Sequence, residues 1–353
     1  MAEKSVLLDL SLPELQARLA EMGEPAYRAK QVFQWLHKGV PFLQMGNIPM
    51  PLRQKLEAEF FDMPMSQHET FASQKDDTVK FLFACVDGSL IEGVLMHYHY
   101  GYTLCISTQV GCRMGCAFCA STLNGCVRDL SAGEMLAQVL LANRYLGERG
   151  HVGHVVLMGS GEPLENYQET VQFLRLVNAP EGLNIGLRNI SLSTCGLVPQ
   201  IAKLAEEKLP VTLSISLHGP NDAIRQEIMP IARRYPMAEL MEAARGYIAK
   251  TGRRVVFEYA LIGNVNCSVS HAKELARLVG GMQCHVNLIP LNKVAESPLS
   301  PASPKEVQAF LQTLEGLNIS ATCRREMGTD ISGACGQLRH QYLKNEKKVD
   351  TIS

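Results

Sequence analysis

The sequence predicts an α/β fold: a parallel sheet wrapped by helices, preceded by a small helical domain and a β-hairpin. Three patterns carry that prediction. Through the middle of the chain, short apolar runs alternate with stretches of helical period in successive strand-helix units, the order that builds a parallel sheet. Ahead of them lie two strand-like runs joined by Asp87-Gly88, a strong hairpin signal. Before these the apolar spacing is helical.

Taken in order, Ser11-Leu12-Pro13-Glu14 reads as a capping box, with Ser11 at the N-cap and Glu14 reaching back, ahead of Leu15, Leu19 and Met22; Gly23 ends the helix. Pro25 suits the first turn of a second helix carrying Ala29, Val32, Phe33 and Leu36, stopped by Gly39. A third helix is expected over Leu52–Phe60. Arg28, Lys30, Lys38 and Arg53 fit a solvated face or an RNA contact equally well. The hairpin strands are Val79–Cys85 and Leu90–Met96. Glu92 falls in the second, where an edge-strand carboxylate facing water is the simplest reading.

Core strands are expected at Leu104–Thr108, His154–Met158, Ile190–Thr194, Val211–Leu217, Val255–Leu261 and His285–Ile289. Helices fit at Ala132–Leu146, Tyr167–Val177, Val198–Lys208, Met237–Lys250, Ser270–Leu278 and Pro304–Leu314. The organisation expected is a helical accessory domain over 1–70, a hairpin extension over 71–101, the core over 102–320 and a C-terminal segment over 321–353 with a reactive-cysteine loop and a basic tail, Arg339 to Lys348.

At 46% hydrophobic and 20% charged, with no apolar run near membrane-span length, the chain reads as a soluble globular protein. Its N-terminus lacks the features of a secretory signal, so its 11 cysteines are expected as thiols and metal ligands in a reducing cytoplasm, not as a disulfide framework. A net charge of −1 leaves any nucleic-acid contact to local patches.

The chemically loaded stretch runs from Cys105 to Cys119. Cys112, Cys116 and Cys119, spaced C-x3-C-x2-C with glycines at 111 and 115, can wrap a loop around an inorganic cluster with all three thiolates inward. Three ligands leave one metal corner open, a catalytic arrangement. A structural zinc site wants a fourth ligand at paired spacing, which neither Cys105 nor Cys126 supplies. Simple packing of three cysteines would place them on an apolar period instead.

Polar groups follow the core strands: Met158-Gly-Ser-Gly-Glu-Pro163, Ser193-Thr-Cys-Gly196, Ser216-Leu217-His218 and Pro290-Leu-Asn292. In a parallel sheet these meet at the carboxyl-end rim, where ligands bind. Gly159-x-Gly161 is not a dinucleotide fingerprint, because Leu164 stands at the third glycine position after Pro163. Here the glycines are expected to let backbone approach a ligand ammonium, with Glu162 as its anionic partner. Near the C-terminus, Cys335 lies between Gly333 and Gly336, as a reactive thiol would.

Together, the cysteine triplet with Phe118 before its last member, Cys105 through Cys112, Met158–Pro163, Leu192–Gly196, Ser216–His218, Asn287–Asn292 and Gly333–Leu338 resemble one family over about residues 10 to 345. It is the bacterial radical S-adenosylmethionine (SAM) RNA methyltransferase family that modifies carbon 2 of adenosine in 23S rRNA and tRNA. The resemblance implies a partial (β/α)6 barrel. It also implies that Cys112, Cys116 and Cys119 hold a 4Fe-4S cluster, and that Gly161, Glu162, Ser193, Ser216, Leu217, His218 and Asn292 contact SAM. Cys335 matches the cysteine methylated first, Cys105 the second reactive cysteine, and Glu92 the proton acceptor.

In that scheme one SAM donates a methyl to Cys335 and a second is the radical source. The implied partners are 23S rRNA and tRNA; an external electron donor such as flavodoxin or ferredoxin is expected beside them, no membrane is expected from the composition, and a monomer is the default expectation. A sister family acts on carbon 8 of the same rRNA adenosine; alanine follows its Gly-Glu pair, where this chain has Pro163, which favours carbon 2. Cys195 departs from the serine usual in the family. The competing reading from another class is an RNA-binding factor in which the cluster is only structural.

Overall fold

A computed structural model describes residues 4–292, 297–325 and 327–331. Cys335, its flanking glycines and the basic tail lie outside the described residues.

The N-terminal unit is helical, as its spacing predicts. Strand β1 (Ser5–Val6) leads into α1 (Leu12–Glu21), α2 (Tyr27–Leu36), α3 (Met50–Glu59) and β2 (Phe60–Phe61), which pairs in parallel with β1. The capping box forms: Ser11 N–H donates to Glu14 Oε2 at 2.7 Å. The third helix begins at Met50 rather than Leu52, because Pro51 occupies its first turn, where a missing N–H costs nothing.

Strands β3 (Met65–Ala72), β4 (Val79–Cys85) and β5 (Leu90–Tyr98) form an antiparallel meander that continues through β6 (Gly101–Cys105) into the core. β3 is unexpected, since its polar sequence carries no apolar alternation, and it spans the boundary expected at 70/71. Glu92 is no edge-strand residue. β5 lies between β4 and β6, and Glu92 is 2% exposed. The first core strand is Gly101–Cys105, earlier than Leu104–Thr108, because the chain leaves the sheet after Cys105 to form a separate ribbon, β7 (Gln109–Gly111) with β8 (Cys126–Asp129).

The remainder alternates: α4 (Ala132–Leu146), β9 (Val152–Leu157), α5 (Tyr167–Val177), β10 (Ile190–Thr194), α6 (Val198–Glu206), β11 (Thr212–Ser216), α7 (Asp222–Ile228), α8 (Met237–Thr251), β12 (Val255–Leu261), α9 (Val269–Val279), β13 (Cys284–Pro290), α10 (Pro304–Gly316) and β14 (Ala321–Cys323). Among the described residues the sheet order is β14-β13-β12-β11-β10-β9-β6-β5-β4-β3. From β14 to β6 every pairing is parallel, the partial barrel expected from the family resemblance. α7 went unread because it is short and follows directly on the His218 turn. No described helix is long and apolar enough to cross a membrane.

The helical unit joins the barrel through polar and packed contacts. Gly133 N–H, at the start of α4, donates to Asp9 Oδ1 at 2.6 Å, and Arg144 donates to Gly39 O at 2.7 Å. His37, after α2, stacks on Phe33 at 4.1 Å between centroids and covers Gly182, where a Cβ would lie 2.2 Å from its Nδ1. Burial lowers its pKa to about 4, so the ring is neutral in the fold.

Because that folded value lies below the ordinary histidine value of 6.5, the unfolded chain binds the proton first. Stability is therefore retained above pH 6.5 and drains as pH falls toward 4, by about 3 kcal/mol in total. Chemical denaturation followed through Trp35, two residues away and the only tryptophan, should show this slope in the wild type. The slope should be shallower in His37→Leu, where only His218 and the other shifted groups still contribute; equal slopes would refute the assignment.

Candidate active site

The site is built where the cysteine segment crosses the loop after β9. Gly159 N–H donates to Ile106 O at 3.0 Å, and Ser160 O accepts the N–H groups of Thr108 at 2.9 Å and Gln109 at 3.1 Å. Ser107 completes the crossing: its Oγ donates to Glu92 O at 2.7 Å and accepts Ser160 N–H at 3.0 Å. Gln138 pins Ser107 from α4 with both ends of its amide, each at 2.9 Å.

The glycines of this loop serve the crossing first. A Cβ on Gly159 would lie 2.5 Å from Ile106 O, and one on Gly161, at φ +112°, 2.7 Å from Gln109 N. Only glycine lets the two backbones meet. The ligand-approach role expected from the sequence is thus joined by a packing role that the sequence did not reveal.

This crossing sets one wall of a cavity of about 280 Å³. Cys112, Cys116 and Cys119 line it, with Gly161, Glu162, Ser193, Ser216, His218 and Asn292 from the ends of the successive strands. The sequence-predicted groups therefore meet around one space. Leu217 differs: its side chain is fully buried in the core, away from the cavity.

Glu162 is 3% exposed, and both carboxylate oxygens accept backbone N–H groups, from Leu164 at 3.0 Å and Cys195 at 2.7 Å. Burial raises its pKa, and these hydrogen bonds oppose the rise. His218 adopts φ +53° and its Nδ1 accepts Ala260 N–H at 2.9 Å, which leaves the proton of the neutral ring on Nε2. Burial, then the nearby Arg225 charge, depresses its pKa to about 3, so it stays neutral at ordinary pH. Phe118 meets it edge-on at 4.7 Å.

Burial pushes the Cys112 thiol up to about 12 and raises Cys116 as well. Thiolates at these positions need a compensating positive centre, which iron supplies. Among the described residues no three acidic, His or Cys side chains converge as a single-ion site would require. An iron-sulfur cluster asks for something else, one thiolate per iron, and three soft ligands on an open cavity wall fit that demand.

Cys105 lies beside the cavity rather than on its wall. It ends β6, buried with Val94 and Met96 of β5 and packed by Val156, Met158 and Met327; Met158 also lines the cavity. The chain after Met327 is tied to the turn between β3 and β4. Asp330 accepts from Ser73 Oγ at 2.7 Å and Gln74 N at 2.8 Å, and Gly328 N–H donates to Asp76 at 3.0 Å.

Three buried charges were missed. Glu258 on β12 lines the cavity and accepts from Asn287 Nδ2 at 2.7 Å. Arg225 on α7 is fully buried; Nη2 donates to Cys195 O at 2.6 Å, while Nε and Nη1 find no partner among the described residues. Lys80 on β4 is fully buried with Nζ 2.9 Å from Glu92 Oε2. Glu258 and Lys80 each interrupt an otherwise apolar strand, a signal the sequence did offer.

Comparison with known proteins decides the family. Residues 106–273 match the Radical SAM superfamily, and residues 6–61 match the ribosomal RNA large subunit methyltransferase N-terminal domain. A Clostridium tetani protein described as a probable dual-specificity RNA methyltransferase RlmN is 53% identical over 97% of this chain and 98% of its own length. Its counterpart from Alkaliphilus metalliredigens is 50% identical over 99% of both chains. The chain belongs to the RlmN family. A solved radical SAM methyltransferase from Sphaerobacter thermophilus, 46% identical, superposes with a TM-score of 0.92 over 94% of this chain and 98% of that one. The RlmN fold thus includes the N-terminal helical unit and the barrel together.

Gly159→Ala should lower stability by about 1–3 kcal/mol through overpacking at the crossing, and should weaken SAM binding in calorimetry. Gly246→Ala, on α8 with nothing within 4 Å, is the control and should be neutral or stabilising. Equal melting of the two variants would contradict the packing role.

Proposed function

We propose that this chain is a radical SAM RNA methyltransferase that adds a methyl group to carbon 2 of adenosine in 23S rRNA and in tRNA, through a methylated cysteine. The observation that carries the reading is that Cys112, Cys116, Cys119, Glu162 and His218 line one cavity in a chain of the RlmN family.

In this reading the three cysteines hold a 4Fe-4S cluster, and Gly161, Glu162, Ser193, Ser216, His218 and Asn292 hold SAM, with Leu217 contributing backbone only. Cluster and SAM, when bound, supply a methyl group and a one-electron hydrogen abstraction, one SAM for each. The chain's own residues do the rest.

Carbon 2 of adenine is electrophilic and cannot attack a methyl cation equivalent, so a thiol must take it first. Cys335 carries the methyl to the base as a thioether; loss of a hydrogen atom leaves its carbon a radical, which bonds to C-2, and the adduct gives up its unpaired electron to the one-electron donor couple as the C-2 proton leaves. The base has to leave its stack to reach a recessed site. Glu92, at the level of Ser107 on the rim side of Cys105, accepts the C-2 proton. Cys105 then attacks the Cys335 sulfur. A sulfur–sulfur bond forms as the sulfur–carbon bond breaks, the released carbon takes a proton, and the disulfide is reduced before the next turnover. The burial of Cys105 beside Met158, and the packing of Met327 against it, support this placement.

The helical unit serves as an RNA contact, and the protein works in the cytoplasm as a monomer with an external donor such as flavodoxin or ferredoxin.

Anaerobic protein given SAM, reductant and unmethylated RNA should form 5′-deoxyadenosine and 2-methyladenosine. No 5′-deoxyadenosine would favour a structural cluster in a binding factor, and 8-methyladenosine would favour the sister activity. Replacing Cys112, Cys116 and Cys119 by Ala should remove bound iron; zinc at stoichiometry without iron in the wild type would sink the cluster reading.

The two reactive cysteines should separate. Cys335→Ala loses all methyl transfer but keeps iron and SAM binding. Cys105→Ala still methylates Cys335 and stalls afterwards, so it should carry nuclease-sensitive RNA mass. Normal turnover of Cys105→Ala with no attached RNA would end the two-thiol scheme for this chain.

A further inference from the structure

The proton acceptor does not stand alone. Lys80 and Glu92 form an ion pair of 2.9 Å with 0% and 2% of their side chains exposed. The pair is diagonal across two antiparallel strands, since Lys80 lies opposite Val94 and Glu92 opposite Leu82. Strand alternation puts Lys80, Glu92 and Val94 on one face. Val94 is in turn the partner of Cys105 on β6, so this face is the one that carries the second reactive thiol. Glu92 extends one pair beyond it, where its backbone carbonyl receives Ser107 Oγ at 2.7 Å.

Lys80 is costly at this position. It interrupts the run Val79 to Phe83, whose other members are all apolar and buried. A buried ammonium needs a partner, and so does a buried carboxylate. An apolar pair would hold the two strands together at least as well. Stability alone therefore does not explain a cation here, whereas a carboxylate that must be present as the anion does.

Resting on the reading of Glu92 as proton acceptor, we propose that Lys80 is its positioning residue, an ammonium that compensates the carboxylate charge and fixes its rotamer near the start of β5. Lys80 touches no substrate atom in this scheme. The step it serves is a proton transfer only: the C-2–hydrogen bond breaks, its electron pair stays with the ring, and the proton bonds to a Glu92 oxygen. The product is a neutral carboxyl group beside a cation that has not changed.

The test uses the full-length, cluster-loaded protein and Lys80→Gln, Lys80→Arg, Glu92→Gln and the Lys80→Gln/Glu92→Gln double variant. Four quantities are read: bound iron, methyl on Cys335 by mass spectrometry, 2-methyladenosine formed, and RNA covalently attached to protein. Lys80→Gln should keep iron and Cys335 methylation, lose product formation by roughly a hundredfold through kcat with KM for RNA unchanged, and accumulate attached RNA as Glu92→Gln does. Lys80→Arg, which restores the charge, should recover most of the turnover.

If Glu92→Gln stalls with RNA attached while Lys80→Gln turns over normally, the inference about Lys80 fails and the reading of Glu92 stands. Normal turnover of Glu92→Gln removes the reading itself. The double variant carries no unpaired charge. Should Lys80→Gln lose iron, the double variant must regain it and stall with RNA attached; failure of both to methylate Cys335 would make Lys80 a folding residue and overturn the proposal.

Discussion

The site depends on one close backbone crossing, where the segment leaving β6 passes over the loop leaving β9. Both segments have run out of sheet at that point, so their peptide groups need other partners. They find them in each other: Ser160 O takes two N–H groups from the cysteine segment, and Gly159 N–H returns one to Ile106 O. The crossing fixes where the cysteine loop starts and where Glu162 stands. Gln109 couples the two directly, its Oε1 accepting Glu162 N–H at 2.8 Å. A shift here would move the cysteine loop and the carboxylate together.

From that crossing a buried polar chain extends around the rim. Glu162 holds Cys195 N–H, Cys195 O receives Arg225, and the Arg225 charge helps keep His218 neutral. α7, which carries Arg225, also supports the cysteine loop, since Ile228 O accepts Ala117 N–H at 2.9 Å. A buried network of this kind is stiff when its members are satisfied. The unpartnered Nε and Nη1 of Arg225 mark the place where it is not closed by described protein atoms.

How much of this was legible in the sequence varied with the physics of each element. Ile190–Thr194 and Val255–Leu261 read as observed, the first from its period-two alternation of Ile190 and Leu192 with serines and the second from its nearly continuous apolar run. α4 and α5 read as observed from their spacing. The rim residues were legible because chemistry gathers at strand ends, and the cysteine spacing is specific. Lys80 and Glu258 were not read, since each sits inside a strand whose apolar run dominates, and Arg225 was not read because its short helix, α7, was itself missed. Glu92 was taken for a solvent-facing group because the hairpin read as a separate extension, with no hint that β6 pairs with β5 on its other side. Leu217 was carried over with its neighbours, although alternation points its side chain to the opposite side from Ser216 and His218.

β3 is the outermost strand on its side of the sheet among the described residues. Its backbone therefore offers a template on which another chain could extend the sheet, the usual route to aggregation. All four residues from Ser66 to Glu69 are polar and exposed, and the register slips between Gln67 and Glu69. An irregular, hydrophilic border recruits no further strand. The composition that hides β3 from pattern reading thus works against edge-to-edge association of a large open sheet.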